Sequence, residues 1–361
     1  MMPRHSAGRL LRVRPFVVAT ALVVAVLPVV LPPAAAAATE SVVDQVAQVY
    51  GYYGELEFEK GIALANAILA QGELEVKDRI EVYSALSLLT FALGESYIQE
   101  SYAYLDRIAA LGPCVTALPA SQWPQQLRDQ WYGVAHTNGA LVCNGPPTTE
   151  DRKIRTVAIM EFDNFSVGKY QEKLGFLAKG LAEFFEADFS QLSELNVVER
   201  DKIDYILKEI MLAKEGMVEQ STAVQAGKLL GAQVMIFGSL VQLDDRNARM
   251  TVKAVNVETS QIIATAERQG KPDFFAMEKE LVKELAGRLD LTLSAEVKAR
   301  IDAVGTRLET AADFYSRGLY HMDRYEYAEA YDFFRQAWEA DPAFAEAKHK
   351  MDIYRPLALS S

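Results

Sequence analysis

The sequence predicts an α+β protein, with a central three-layer-like α+β domain built on a mixed sheet and α-helical hairpins on both sides of it. Three observations lead there. Apolar residues recur at helical spacing through residues 41–140: Val42, Val46 and Val49, then Ile62, Ala65, Ile68 and Leu69, then Val82, Leu86, Leu89 and Leu93. From Ile154 the pattern changes to short strands alternating with helices, closing on a trio of strands in which Met250, Val252 and Ala254 alternate with Thr251 and Lys253. Beyond residue 293 the helical spacing returns. A chain of 361 residues with 50% hydrophobic content has enough material for two or three cores.

Residues 1–38 read as a secretory signal peptide. Arg4, Arg9, Arg12 and Arg14 make a basic start, Phe16 to Leu31 is apolar, and Ala36, Ala37 and Ala38 offer small residues for cleavage. An uncleaved anchor is the competing reading, but an apolar run of about 16 residues that includes Pro28 falls short of the ~20 that span a bilayer. There is no twin-arginine pair, and no cysteine near the cleavage point to carry a lipid. Loss of the leader takes 37 basic residues to 33 against 49 acidic ones, so the net charge moves from −12 to −16. Such a chain is a poor binder of phosphate backbones, and nucleic acid is not expected as a partner. Cys114 and Cys143 are candidates for a single disulfide in an oxidising compartment, with two buried free thiols as the other reading.

Along the mature chain, residues 41–143 form a helical domain. Residues 112–131, with Pro113, Pro119, Trp123 and Pro124, leave the helical pattern for a turn and re-enter it at Gln125 to Ala135. A polar, proline-bearing linker occupies 144–153, and the α+β domain runs over 154–292. Its expected elements are a strand at 156–162, a helix at 171–189, a strand at 196–199, helices at 201–213 and 222–230, strands at 233–243, 248–257 and 261–268, and a closing helix at 274–289. Residues 244–247 and 258–260 are the hairpin turns. Residues 293–361 hold a helical connector and a C-terminal helical hairpin.

Catalytic and metal-binding patterns are sparse. The mature chain has only His136, His321 and His349, in separate regions. Gly227-Lys228 fails as a phosphate loop, because Thr222 stands where its first glycine belongs and Lys228 falls inside a helical pattern. Gly238-Ser239 lacks the second glycine of a nucleophile elbow. Glu161 and Asp163 at a strand end have no partner motif for acid/base work, and solvated loop carboxylates are the simpler reading. The stripe of Leu174, Leu177, Leu181, Phe184, Phe185 and Phe189 is broad enough to serve the sheet and a further neighbour, with pure core as the blander alternative. The expectation is a non-enzymatic chain with no cofactor and no metal.

Two resemblances carry function. Phe314, Gly318, Tyr327, Ala330, Phe334, Ala337 and Asp341-Pro342 fall at the spaced positions of a tetratricopeptide unit, with Arg317 and His321 departing from its usual residues. Residues 58–68 and 93–113 resemble weaker units. One unit cannot bury its own outer face, so Phe344, Ala347 and Met351 are expected to form a capping helix, and the unit is expected to pack on the central domain, the N-terminal hairpins or another chain.

The run Val197-Val198-Glu199-Arg200 leading to Lys208-Glu209, and Gly227 to Gly231-Ala232 leading to Phe237-Gly238-Ser239, resemble the curli-assembly component (CsgG-like) family. By themselves these residues read as folding signals, Gly231 as a left-handed helix stop and Gly238 as a site where a side chain would obstruct packing or force a bulge. The resemblance implies a periplasmic or outer-membrane-associated assembly protein, with envelope proteins or further copies of itself as partners and membrane association only through them. The family's secretion rings insert paired membrane-spanning hairpins and carry a lipidated first cysteine. The unassigned stretches 163–170 and 214–221 are too short for two hairpins of ~9 to 11 residues per strand. A periplasmic ring component of an export channel and a ligand-sensing module with its pocket between domains are the alternatives.

Overall fold

Ser41 opens the first helix by accepting a hydrogen bond from Asp44 N at 3.2 Å. The computed structural model describes residues 41–72, 74–112, 123–137, 154–212 and 220–360; the expected leader, the 144–153 linker, Cys114 and Cys143 lie outside them. Helices α1 (Val42–Gly54), α2 (Phe58–Leu69), α3 (Val76–Ala92), α4 (Ile98–Ala109) and α5 (Gln125–Thr137) make the N-terminal layer. Helix α3 is buried on every side from Ala85 to Ala92, which makes it the axis of this bundle. Gly61 lets it approach α2, since a Cβ there would stand 2.7 Å from Leu89. Ser101 Oγ donates to the Ser87 carbonyl at 2.7 Å and joins α3 to α4 through a fully buried contact.

The sheet follows as β1 (Thr156–Ile159), β2 (Asp163–Asn164), β3 (Asn196–Val198), β4 (Val234–Gln242), β5 (Ala248–Asn256) and β6 (Ile262–Gly270), ordered β3-β1-β4-β5-β6 with β2 also paired to β4. Pairs β1–β3, β1–β4 and β2–β4 are parallel, and β4–β5 and β5–β6 antiparallel, so the sheet is mixed as expected. Helices α6 (Lys169–Lys173) and α7 (Gly175–Phe189) connect β1 to β3, while α8 (Arg200–Leu212) and α9 (Gln220–Leu229) bring the chain back past β1 to β4. Right-handed crossovers in opposite directions place these two helix pairs on opposite faces of the sheet. Side-chain alternation along β4 agrees: Gly238 lies under Phe162, which packs on Phe185 of α7, whereas Met235 points to Gly227 of α9. Helix α10 (Phe274–Arg288), capped by Asp273 accepting from Ala276 N, packs beside α7 over β5 and β6.

Two elements differ from expectation. The strand expected at 156–162 does not run its full length: pairing stops after Met160 N donates to the Ile236 carbonyl, and Phe162 turns inward before β2 begins. The helix expected at 171–189 is divided at Leu174, ahead of Gly175, into α6 and α7. The hairpin turns fall where expected. Asp244 gathers hydrogen bonds from the backbone of Arg246 and Asn247, and Ser260 adopts φ 59° between β5 and β6.

Helices α11 (Ala295–Ala303), α12 (Glu309–Met322), α13 (Tyr327–Ala340) and α14 (Ala345–Ser360) complete the chain. Gly318 lets α13 close on α12, since a Cβ would stand 2.5 Å from the Phe334 ring, and Pro342 follows where α13 ends. Phe344 and Ala347 are fully buried, and α14 covers this hairpin. The C-terminal helices pack on both of the other parts of the chain. Gly180 of α7 admits Ser316 of α12, and Tyr53 Oη of α1 donates to the Ile353 carbonyl of α14 at 2.8 Å. No helix among the described residues is long and apolar enough to cross a membrane.

Candidate functional site

The Val198-Glu199-Arg200 run ends β3 and starts α8, which puts two charged side chains at a junction of all three parts of the chain. Arg200 has a side chain only 2% exposed. Its Nε donates to Glu183 Oε1 of α7 at 2.8 Å, its Nη1 donates to Asp204 Oδ2 at 3.1 Å, and its backbone N donates to Glu186 Oε2 at 3.2 Å. Asp323, just after α12, stands 3.5 Å from Nη2, an ion pair without a formed hydrogen bond. Asp323 also pairs with Lys179, whose other partner is Glu161 at 3.6 Å. Glu199 Oε2 accepts from Tyr132 Oη of α5 at 2.8 Å. A guanidinium suits this place because its planar fork can serve several carboxylates at once, and burial without them would be costly.

Beside this network lies an open cleft of about 610 Å³, with Arg128 of α5, Glu183 and Glu186 of α7, Arg200, Tyr315 of α12 and Glu346 of α14 among its lining residues. Its rim includes the exposed residues Ser190, Glu199, Ala345 and His349. Tyr315 forms part of the floor, its ring packed on Phe184, Phe334 and Phe344. Burial, followed by the carboxylates of Glu183 and Glu346, pushes the Tyr315 hydroxyl well above the usual phenol range, with Arg200 opposing.

The cleft brings together Glu199 and Arg200 and takes Tyr315 from the helical hairpin, whose Phe314, Gly318, Tyr327, Ala330, Phe334, Ala337 and Pro342 do not line it. The other residues singled out in the sequence serve the core or the surface. Val198 pairs with Ala158 in the sheet, and Glu209 lies on α8, its side chain outside the described set. Gly227 receives Met235, Gly231 ends α9 at φ 68°, and Ala232 N donates to the Gly227 carbonyl at 2.9 Å. Ser239 sits in register between Asp163 and Thr251. Ala330, Phe334 and Ala337 are fully buried, Phe314 packs on Phe333, and Tyr327 meets Phe91 of α3. The Leu174 to Phe189 stripe is wholly interior, with Leu181, Phe185 and Phe189 at 0% exposure, so it offers no surface to a further partner.

Among the described residues, the side chains suited to chemistry do not converge. Glu161 pairs with Lys179, and Asp163 is exposed, its carboxyl raised by partial burial and by Glu161. Lys228 is exposed on the last turn of α9. His321 stacks on Phe333 and its Nδ1 lies 2.6 Å from Glu326 Oε2; the side chain of His136 is outside the described set. Among the described residues no group of three His, Cys, Asp or Glu side chains could hold a metal ion.

Sequence reasoning passed over Arg128, Glu183, Tyr315 and Glu346, which make the cleft. Glu183 and Glu346 share one signal, a carboxylate between two apolar neighbours on a helix, whereas Arg128 is followed by Asp129 and Tyr315 by Ser316. No curated protein matches the chain. Residues 143–252, under a third of the chain and reaching from the segment before β1 into β5, match the family model of the curli production assembly/transport component CsgG.

Proposed function

We propose that this chain is a secreted envelope protein that acts without catalysis, as an assembly or protein-interaction scaffold related to curli-assembly components. The observation that carries this reading is the match of residues 143–252 to the curli assembly/transport family. The placement of the matched segment supports it. Its Glu199 and Arg200 are engaged in joining the sheet to α5, α7 and α12, a structural use of charges. The C-terminal hairpin, of tetratricopeptide type in this reading, and the helices before the sheet hold protein partners, and the central domain sets their relative positions.

Fractionation of the native host tests the reading. Release of the chain with the periplasm or outer membrane, and recovery of envelope proteins crosslinked to it, are the expected results. A cytosolic location would overturn it. A large ring released only by detergent would instead favour a channel component.

A further inference from the structure

The floor of the cleft carries two polar groups that the fold leaves without partners. Tyr315 is 3% exposed and lines the cleft, yet its hydroxyl makes no hydrogen bond with any described residue. Glu346, on the first turn of α14, makes no ion pair or hydrogen bond with one either. The Tyr315 hydroxyl is not sealed in the core but opens onto the cleft, where water or an entering group must satisfy it.

The cations nearby are already engaged. Arg200 is held by Glu183, Asp204 and Asp323, Arg128 Nη2 donates to Gln125 Oε1 at 3.0 Å, and Lys350 Nζ lies against Met322 Sδ. The unused capacity is therefore that of acceptors in a negative field, since Glu183, Glu346 and Glu186 all act on the Tyr315 hydroxyl. An anion entering here would face those carboxylates. A metal ion would need a convergent ligand set, which the described residues lack. A group that brings N–H donors and positive charge meets both demands.

We propose that the cleft seats an organic ammonium group on a flexible alkyl chain, with Tyr315 Oη and the Glu346 carboxylate as its acceptors. A volume of about 610 Å³ with an exposed rim lets such a chain enter from solvent with its charged end first. The same chemistry is offered by a lysine side chain of a partner protein and by a free aliphatic amine. The site stands apart from the scaffold reading, because fractionation of the host tests location and partners whatever the cleft binds.

Titration calorimetry on the full chain with acetyl-Gly-Lys-Gly-amide and with 1,5-diaminopentane tests it, the norleucine counterpart of the peptide serving as the uncharged control. The expected result is saturable binding of at least one ammonium probe, none of the control, and affinity about tenfold lower in Tyr315→Phe and in Glu346→Gln. Binding of the tripeptide alone assigns the group to a partner's lysine, and binding of the diamine extends it to free amines. In wild-type chain labelled with ¹³C-tyrosine, the Tyr315 signal must shift on saturation, a readout that depends on no variant folding. Absence of saturable binding by both probes, a silent Tyr315 signal, or equal affinity in wild type and both variants would overturn the assignment.

Discussion

Arg200 Nε donates to Glu183 Oε1 across 2.8 Å, coupling the first residue of α8 to the middle of α7 at a guanidinium that water scarcely reaches. Glu183, Asp204 and Asp323 draw countercharge from it, Asp323 from Lys179 as well, and their side chains keep 16%, 24% and 21% exposure. Arg200→Met should lower the unfolding free energy by about 3 kcal/mol, the low end for breaking a buried ion pair because the carboxylates left behind retain some access to water and Asp323 keeps Lys179. Arg200→Lys should fall between, keeping the charge but not the fork. Urea denaturation measures both; a loss below about 1 kcal/mol for the methionine variant would show that the network contributes little net stability.

Gly238 is the second sensitive point. A Cβ at this position would land within the ring of Phe162, which itself packs on Phe185 at a centroid distance of 4.9 Å. Gly238→Ala should destabilise by about 1–3 kcal/mol through overpacking, and Phe162→Leu should recover part of that loss in the double variant. Additive effects of the two substitutions would mean that β4 or the ring moves aside without strain.

The same pair marks a limit of sequence reading. Residues 157–160 are apolar and Phe162 follows Glu161, and nothing in that order reports that Phe162 leaves the strand to lie over a glycine 76 positions later. Local signals were legible: Gly231 as a helix stop, the polar turn at 244–247, and Gly318 opposite Phe334 within one hairpin. Glu199 and Arg200 stood out by resemblance, but their partners Tyr132, Glu183 and Asp323 come from three other helices or helix ends, and no spacing rule connects residues that meet only after the parts dock. The stripe on α7 was legible as apolar, while its full consumption by the sheet, α10 and α12 became visible only with those neighbours in place. For the cleft the signal was scattered: its polar residues come from α5, α7, α8, α12 and α14, and even the set Glu346, His349 and Lys350 on α14 carries no mark of what faces it.

Between α7 and α10 one lysine serves two buried carboxyl groups. Lys279 Nζ donates to both oxygens of Asp188 at 2.7 and 2.8 Å, and Glu278 is 1% exposed beside them. Burial, then the charge of Asp188, holds the Glu278 carboxyl well above the ordinary carboxylate range; burial also raises Asp188, against the pull of Lys279. A proton retained in the folded state and released on unfolding makes stability fall as pH rises. The contribution is complete below about pH 4.3, where an unfolded glutamate is still protonated, and is lost progressively up to the raised folded value. Stability of the wild type should therefore decline by about 1.4 kcal/mol per pH unit through that window from this group alone. Glu278→Gln should flatten the decline and be more stable than wild type at pH 8. Parallel profiles for the two proteins would show that Glu278 is not protonated in the fold.

The N-terminal helices and the C-terminal hairpin share a core although Thr137, the end of α5, and Glu309, the start of α12, are far apart in the chain. Tyr53 Oη donates to the Ile353 carbonyl at 2.8 Å, Gln125 N donates to Tyr354 Oη at 3.2 Å, and the Phe91 and Tyr327 rings meet at 6.3 Å. Neither helical part can then open without exposing the apolar face of the other, and α7 and α12 tie both to the sheet. Calorimetry of the chain should give one transition whose calorimetric and van't Hoff enthalpies agree. Tyr53→Phe removes one buried hydrogen bond and should cost about 1 kcal/mol, lowering that single transition as a whole. If the flanks were independent domains, the same substitution would shift only an early, separate melting step, because α1 would then unfold without drawing α14 and the sheet after it.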